Sequence, residues 1–595
     1  MIILSLIILI LITALPSFFK FFPENCYNRI SAIVLLFCAI LAFNTLDIES
    51  IGSGIAIYGG LFHITIITQL MDIVLYIIAS LILIAWPLIK NSQSDQSERY
   101  KNEASAPQAE IKNISYSANY SLIILFSLLG ASLLISSYDL ISMYLSIELQ
   151  SFAVYVLATL YKNSESSTSA GLKYFLLGGL SSCFILFGAG LIYAFTGLTN
   201  LESIYSLISV SEITNIISTN ININSIIATE TGGLGIMGGF FLGIIFIIVG
   251  FLFKIAAAPL HNWSPDVYDD TPTIVTIWLT VMPKISILIF LLELYTGFKS
   301  LDLIVDNNYL YNLVNVNDTL NISSIIRNLL LMSSLLSLLI GSVVGLVQIR
   351  IKRLLAYSTI SHVGFILLAL AINTEQSIDS FLFYIIQYSI TNLNIFLIII
   401  ALSYIYNNKS IILKDIKYIS DFKGQFFLNP LICLSFSICL FSMAGVPPLI
   451  GFFSKQYVLY SAIQSGYIFM SLICIIVSVI SASYYLKIIK VLMDEITQIN
   501  NNYFDKRTAI KQNTPASQAS ILADKDTELF SSTEAPHYSS VHQVAPGEGE
   551  SSYILLSNYH SFLISTLTLS ILLFILKPSL ILNSTQLLSL SLFNF

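Results

Sequence analysis

The chain has 595 residues, of which 56% are hydrophobic and only 10% charged, and its formal net charge is -7. An ordinary soluble domain carries about 25% charged residues, so this chain cannot cover a water-facing surface; a soluble globular protein and a disordered chain are excluded, and the negative charge excludes a nucleic-acid binder. The apolar residues fall in continuous runs of about 20, the helical length that crosses roughly 30 Å of hydrocarbon, and not in the alternating pattern of a membrane barrel. The expectation is an all-α polytopic membrane protein.

Fourteen spans follow in chain order. The first, MIILSLIILILITALPSFF, lacks a basic n-region and reads as a spanning helix, not a cleaved signal. Spans near 2–19, 29–46 and 66–89 make an N-terminal segment over 1–89. A polar loop over 90–119 precedes a unit at 120–296, with spans near 120–137, 140–161, 171–196, 237–262 and 273–296. A second unit at 297–492 holds spans near 327–347, 353–372, 379–406, 429–462 and 466–491. A Ser/Thr/Gln/Ala/Pro-rich polar loop over 493–554 leads to a last span near 555–576 and a tail, together 555–595. The 199–235 connection is rich in Ile, Asn and Ser and has no lysine or arginine.

Two spans cannot be straight. The one at 429–462 is too long and contains Gly445-Val446-Pro447-Pro448, and the one at 237–262 contains Pro259 after three alanines; proline lacks the N–H a helix needs. Matching breaks in two five-span units are the sequence mark of inverted repeats with ion sites at the broken helices. On this reading helices 7 and 12 are the broken ones. Gly341 and Gly345 form a GxxxG packing motif. Six scattered cysteines form no CxxC and no Cys/His cluster, which argues against iron–sulfur and zinc sites. No glycine-rich nucleotide loop is present, so NAD, flavin and ATP have no site here.

Basic residues set the topology. Of 27 Lys and Arg, 21 fall in loops on one side and three on the other, which places both termini on the outer side. The remaining three, Lys254, Lys284 and Lys455, lie inside apolar spans. A lysine at the membrane centre costs roughly 2.5–3.5 kcal/mol on insertion scales, and unlike arginine it can release its proton. Snorkelling to an interface or a static ion pair is the alternative for each. Glu148, in MYLSIELQSFAVYVL, is the matching buried acid, with Lys254 or Lys173 as its partner. Asp72 and Glu293 lie in or near spans and read as structural. His362 suits a relay, because the reference pKa of histidine is near neutrality, or a packed hydrogen-bonded position.

Three runs carry a resemblance: KIAAAPLHNWSPDVYDDTPTIVTIWLTVMPKISIL, RLLAYSTISHVGF and MAGVPPLIGFFSKQYVL. They resemble the antiporter-like proton-translocating subunits, and within that family the subunit 2 type of mitochondrial respiratory complex I, as found in fungi. PDVYDDTPT and Lys284 favour that type, since related subunits 4 and 5 carry histidine in that helix. The long lateral helix of subunit 5 is also absent. The resemblance is strong over about 120–490. Asp269-Asp270 depart from the usual acidic-glycine pair, and nothing carries over to 493–554. The resemblance implies a fourteen-helix fold and roles in proton transfer for Glu148 on the fifth helix, Lys173 on the sixth, Lys254 on the broken seventh, Lys284 on the eighth and Lys455 on the broken twelfth. It implies no cofactor in this chain, with NADH, FMN, iron–sulfur clusters and ubiquinone on other subunits. The implied partners are membrane-arm neighbours, subunits 4 and 4L among them, and lipids, in the mitochondrial inner membrane. A stand-alone or multisubunit cation/proton antiporter is the alternative function, and a scaffolding subunit is a third.

The charge count predicts that the termini and the 199–235 loop face the intermembrane space and the 90–119 and 493–554 loops face the matrix. Protease added to intact mitoplasts should leave 493–554 uncut until the inner membrane is opened. Cleavage there beforehand would invert the topology.

Overall fold

The computed structural model describes residues 1–14, 24–46, 48, 54–85, 107–161, 164–208, 233–306, 322–406, 415–494 and 558–593. Three helices open the chain: α1 (Ile2–Ala14), α2 (Glu24–Thr45) and α3 (Ile66–Ile84). A short antiparallel hairpin, β1 (Ile55–Ile57) and β2 (Phe62–Ile64), joins the last two, with Ala56 opposite His63. The first unit runs α4 (Pro107–Ile135), α5 (Leu140–Ala158), α6 (Glu165–Thr196), α7 (Gly233–Lys254), the short α8 (Trp263–Asp270) and α9 (Thr273–Asp306). The second runs α10 (Ile322–Val347), α11 (Ile351–Ile372), α12 (Glu375–Tyr406), α13 (Pro430–Ala444), α14 (Ile450–Gln464) and α15 (Ile468–Met493). Two more helices close it, α16 (Asn558–Leu572) and α17 (Ser579–Phe593).

Ten of the described helices are long and apolar enough to cross a membrane, and Ile2–Ala14, Asn119–Ile135, Gly238–Lys254 and Pro430–Ala444 are shorter apolar helices. The helix ends follow from local chemistry. Thr65 caps α3 in a reciprocal box with Thr68, Asp139 caps α5 by accepting from the Ile141 N–H, and Gly197 ends α6 in the left-handed region. Close helix packing uses small residues. A Cβ on Gly188 would lie 2.5 Å from the Gly243 carbonyl oxygen, which holds α6 tightly against α7; one on Gly341 would lie 2.6 Å from the Ser361 nitrogen, which does the same for α10 and α11. Helices α9, α11 and α12 are buried on nearly every face. Outer faces of α2, α6 and α15 leave Ile33, Leu172 and Val479 exposed, as a helix facing lipid or a neighbouring subunit requires.

Several expectations shift. Helix α4 begins at Pro107, inside the stretch read as a 90–119 loop, and α6 begins at Glu165, a turn and a half before the predicted edge. The hairpin is absent from the all-α reading because three-residue strands give no alternation to see. Helix α17 falls in the stretch read as a tail, because Asn583, Ser584, Thr585 and Gln586 break its hydropathy. Of the 199–235 connection, 201–208 is helical and 209–232 lies outside the described residues, as does 495–557 in the long polar loop.

One charged face ties the two units together. Arg350 donates to Asp269 at 2.6 Å, and Arg353 pairs with Asp266 and lies 3.7 Å from Asp269. Lys352 is buried and donates to Asp415 at 2.6 Å and to the Thr271 carbonyl at 2.8 Å. Asp415 also accepts from the Thr273 N–H at 3.1 Å and its hydroxyl at 2.9 Å. Burial works to raise the Asp415 carboxyl, but Lys352 and the two Thr273 donors overcome it and hold the group below the ordinary carboxylate range. A lowered carboxylate stabilises the fold at every pH above the ordinary aspartate value of about 4, and the contribution is lost only as pH falls through the lowered value. Asp415→Asn leaves a buried lysine without its counter-charge and should cost about 3 kcal/mol, the lower end for breaking a buried pair. Thermal unfolding of the purified assembly measures it, and the loss should be smaller when Lys352→Met is added.

Candidate functional site

The polar interior begins at the break after α7. Lys254 is the last residue of that helix. Ala256 adopts φ +60°, a left-handed conformation that costs a non-glycine residue roughly 1–2 kcal/mol, and the Ala257 N–H reaches back to the Leu252 carbonyl. The Trp263 indole caps the Phe253 carbonyl at 3.0 Å. The freed backbone is thus satisfied by a neutral donor, and the Lys254 amine is left for Glu148. Nζ lies 3.4 Å from Glu148 Oε1, with the side chains 7% and 13% exposed. A separation beyond about 15 Å, past Debye-scale coupling, would have ruled the pairing out. The partner is therefore Lys254 and not Lys173. Lys173 sits on the third turn of α6 at the surface, 3.3 Å from Asp266.

A cavity beside Lys254 is lined by Gln150, Ser151, Tyr155, Ser181, Trp263 and Pro283. Gln150 and Ser286 bridge α5 and α9 through mutual hydrogen bonds of 2.9 and 3.1 Å. Lys284 follows Pro283 on α9, the helix that carries one wall of this cavity. It is 3% exposed, and its amine has no hydrogen-bond partner among the described residues. The rings of Tyr268 and Tyr388 flank it, each with its centroid 5.8 Å from Nζ. Aromatic faces attract a cation without accepting its proton.

Tyr388 continues the row. Its hydroxyl donates to the Thr280 carbonyl at 3.2 Å and accepts from Asn392. Its ring lies 5.9 Å from that of His362. His362 is 4% exposed, with Nδ1 2.7 Å from the Tyr384 hydroxyl and Nε2 3.3 Å from the Tyr485 hydroxyl. Tyr384 stacks on Phe365, whose ring centroid is 5.6 Å from Lys455 Nζ.

Lys455 occupies the second break. Gly445 has φ +88°, and the Val446 N–H reaches back to the Phe441 carbonyl. The carbonyls this frees are those of Met443 and Ala444, and Lys455 itself caps both, at 2.8 and 2.9 Å. It is 6% exposed. None of the three interior lysines snorkels to an interface.

Asp72 and Glu293 stand apart from the row. Glu293 accepts from the Thr65 hydroxyl at 3.4 Å, and Asp72 Oδ1 has no hydrogen-bond partner among the described residues. The tyrosines and the Gln150–Ser286 bridge were not read from the sequence, since single polar groups in apolar spans look like ordinary core. Tyr384 and Tyr388 did carry a signal, four residues apart on one face of a helix.

Comparison with known proteins places this arrangement. The NADH:quinone oxidoreductase/Mrp antiporter transmembrane family matches residues 137–303 and again 301–481. The chain is 47% identical to NADH-ubiquinone oxidoreductase chain 2 of Rhizopus oryzae over 98% of this chain and 99% of that protein. It is 38% identical to chain 2 of Marchantia polymorpha over 62% of this chain and 66% of that one. Among solved structures, its fold is similar to a chain of the Mrp complex from Dietzia, with TM-score 0.65, 16% identity and coverage of 100% and 96%. A chain of respiratory complex I from Thermus thermophilus gives TM-score 0.57, 23% identity and coverage of 82% and 89%. Both of these chains are subunits of multi-subunit membrane complexes. By its matched residues, its relatives and its fold, the chain belongs to the NADH:quinone oxidoreductase/Mrp antiporter transmembrane family.

Proposed function

We propose that this chain is a core membrane-arm subunit of the proton-translocating NADH:ubiquinone oxidoreductase of the mitochondrial inner membrane, and that it carries protons through its interior while redox chemistry proceeds on other subunits. The observation that carries the reading is the row of buried titratable groups running from Glu148 and Lys254 through Lys284 and His362 to Lys455. A scaffold has no use for three interior lysines, each costly to bury. Lys173 stands at the rim of the row. The chain needs no cofactor of its own on this reading, and its partners are neighbouring membrane-arm subunits such as 4 and 4L. Fourteen crossings with both termini toward the intermembrane space complete it. The Mrp likeness keeps a cation/proton antiporter subunit as the second reading, which transport without a redox partner would support.

The row works by exchange of charge between neighbours. When Glu148 and Lys254 are paired, their charges cancel locally. A proton reaching Glu148 breaks the pair and leaves Lys254 able to pass its own proton toward the cavity and Lys284. The two groups then titrate as a coupled unit. Lys284 has only aromatic faces around it, so it holds a proton without a fixed counter-ion and gives it up to the next acceptor.

Lys254→Arg and Lys284→Arg keep the positive charge but not a releasable proton. Both should assemble and lower the proton-to-electron stoichiometry of the complex. Normal stoichiometry in both would remove the proton-carrying role.

Lys455 has two duties that separate by substitution. Lys455→Met strips the donors from the Met443 and Ala444 carbonyls, at about 1–3 kcal/mol for each buried group left unpaired, and removes the proton site. Lys455→Gln keeps a donor for the carbonyls but carries no transferable proton. Proton-pumping turnover should fall severalfold in both variants, with stability lowered chiefly in the methionine one. Full coupled activity in assembled Lys455→Gln would make this residue a helix cap alone.

A further inference from the structure

The row from Lys284 to Lys455 uses only one of the two nitrogens of His362. Tyr384, on α12 within the row, takes Nδ1 at 2.7 Å. Nε2 faces Tyr485, on α15 outside the row, at 3.3 Å. A neutral imidazole has one donor and one acceptor nitrogen, so between two phenols one hydroxyl donates to the ring and the other accepts from it. That is the arrangement of a relay with an inlet and an outlet.

Tyr485 is not isolated. Ser358 lies beside its hydroxyl. Tyr484 is next to it, with ring centroids 4.5 Å apart. The Tyr484 hydroxyl lies beside the Tyr485, Ser361 and Ser481 hydroxyls, is 1% exposed, and among the described residues forms no hydrogen bond of ordinary geometry. A buried hydroxyl in that condition needs a reason. The Ser358 and Ser361 hydroxyls each donate to a carbonyl three residues earlier, at 2.7 Å, which leaves their oxygens as acceptors for the tyrosines. Gly345 of the GxxxG motif makes the room: a Cβ there would stand 3.2 Å from Tyr484 Cε1 and 3.7 Å from Tyr357 Cβ.

The cluster has a direction. Ser358 precedes His362 by one turn toward the start of α11, where Arg350, Lys352 and Arg353 lie, about 6 Å along the axis. Tyr357 lies beside Arg353 and Asp266 at that rim. Helix α15 ends on the same side with Lys487 and Lys490 ahead of Met493. Tyr485, beside Ser358, therefore lies on the rim side of His362 with Tyr484 next to it, and Tyr357 stands at the rim itself.

We propose that Tyr484 and Tyr485 form a proton branch that feeds His362 at Nε2 from the basic rim of the bundle. The inference rests on the row described under Proposed function. In one transfer the Tyr485 hydroxyl gives its proton to Nε2 as Nδ1–H gives its proton to the Tyr384 oxygen. Tyr384 passes its original hydroxyl proton to a neutral hydroxyl or amine of the row, and Tyr485 is reprotonated from the Tyr484 side. One proton arrives and one departs, and the ring changes tautomer without acquiring charge. Tyr485 is thus a second supply to the row, independent of Glu148.

The test is Tyr485→Phe in the assembled complex, with Tyr484→Phe and His362→Gln beside it. Phenylalanine keeps the ring and the packing and removes only the hydroxyl. Tyr485→Phe should lower proton pumping about tenfold, less than the ~100-fold or more of a lost general acid, because Glu148 still feeds the row. The ratio of turnover in H2O to that in D2O should rise. Tyr484→Phe should act in the same direction. Full pumping in Tyr485→Phe, or lowered pumping with an unchanged H2O/D2O ratio, overturns the branch and leaves Tyr485 as a ring support. If Tyr485→Phe does not assemble, the same readouts on Tyr484→Phe decide. Full pumping in His362→Gln instead overturns the row at that point; loss in His362→Gln with full pumping in Tyr485→Phe rejects the branch alone.

Discussion

An ammonium group in a medium that cannot solvate it is the constraint from which the interior follows. The three central lysines meet it in three ways. Lys254 has a carboxylate at 3.4 Å, Lys284 has two aromatic faces, and Lys455 has two carbonyls that a broken helix has released. These environments rank differently in how firmly they hold a charge. A carboxylate neutralises it, carbonyl dipoles solvate it, and ring faces attract it weakly and without direction. The weakest holder, Lys284, is thus the one whose charge has no fixed partner.

The two breaks are built alike to the level of single hydrogen bonds. Ala257 N–H to Leu252 O is matched by Val446 N–H to Phe441 O, and Leu260 N–H to Ala257 O by Leu449 N–H to Val446 O. Ala256 at positive φ is matched by Gly445. The same register sets Pro259 against Pro448 and Leu260 against Leu449. The lysines do not correspond: in that register Lys254 falls on Met443, and Lys455 falls on Asp266. The backbone device is thus duplicated while the charge has moved from before the break to after it.

Much of this was legible in the chain. The broken helices, the interior lysines and Glu148 followed from proline chemistry and from the cost of a charge in hydrocarbon, and the structure brings Glu148 and Lys254 together. That unwound backbone at the Pro447-Pro448 break could partner Lys455 was legible too, but not that its amine caps the Met443 and Ala444 carbonyls in particular, because that contact joins two helices. Tyr268 and Tyr485 were hidden for a related reason. Twelve per cent of the chain is aromatic, and only packing tells a hydroxyl aimed at an imidazole from one at a surface. The inter-unit clamp was equally hidden, since Lys352 counted merely as loop charge and nothing singled out Asp415.

That clamp and the row have opposite requirements. Proton transfer needs side chains that change partners, whereas distances of 3 Å between donors on different helices survive only if the helices hold still. The molecule separates the two demands by place. Rigidity is concentrated where α8 and the start of α9 meet the start of α11, through Arg350, Lys352 and Arg353 on three carboxylates, and in the glycine contacts that press α10 on α11 and α6 on α7. Freedom is kept at the breaks, where the backbone lacks a continuous ladder and the amines of Lys254 and Lys455 hold bonds they can exchange. Asp266 belongs to both regions. It pairs with Lys173 of the first unit and Arg353 of the second, and it occupies in the first break the register position that Lys455 has in the second. That single carboxylate thus holds one cation from each unit at the rim, away from the interior amines that exchange partners.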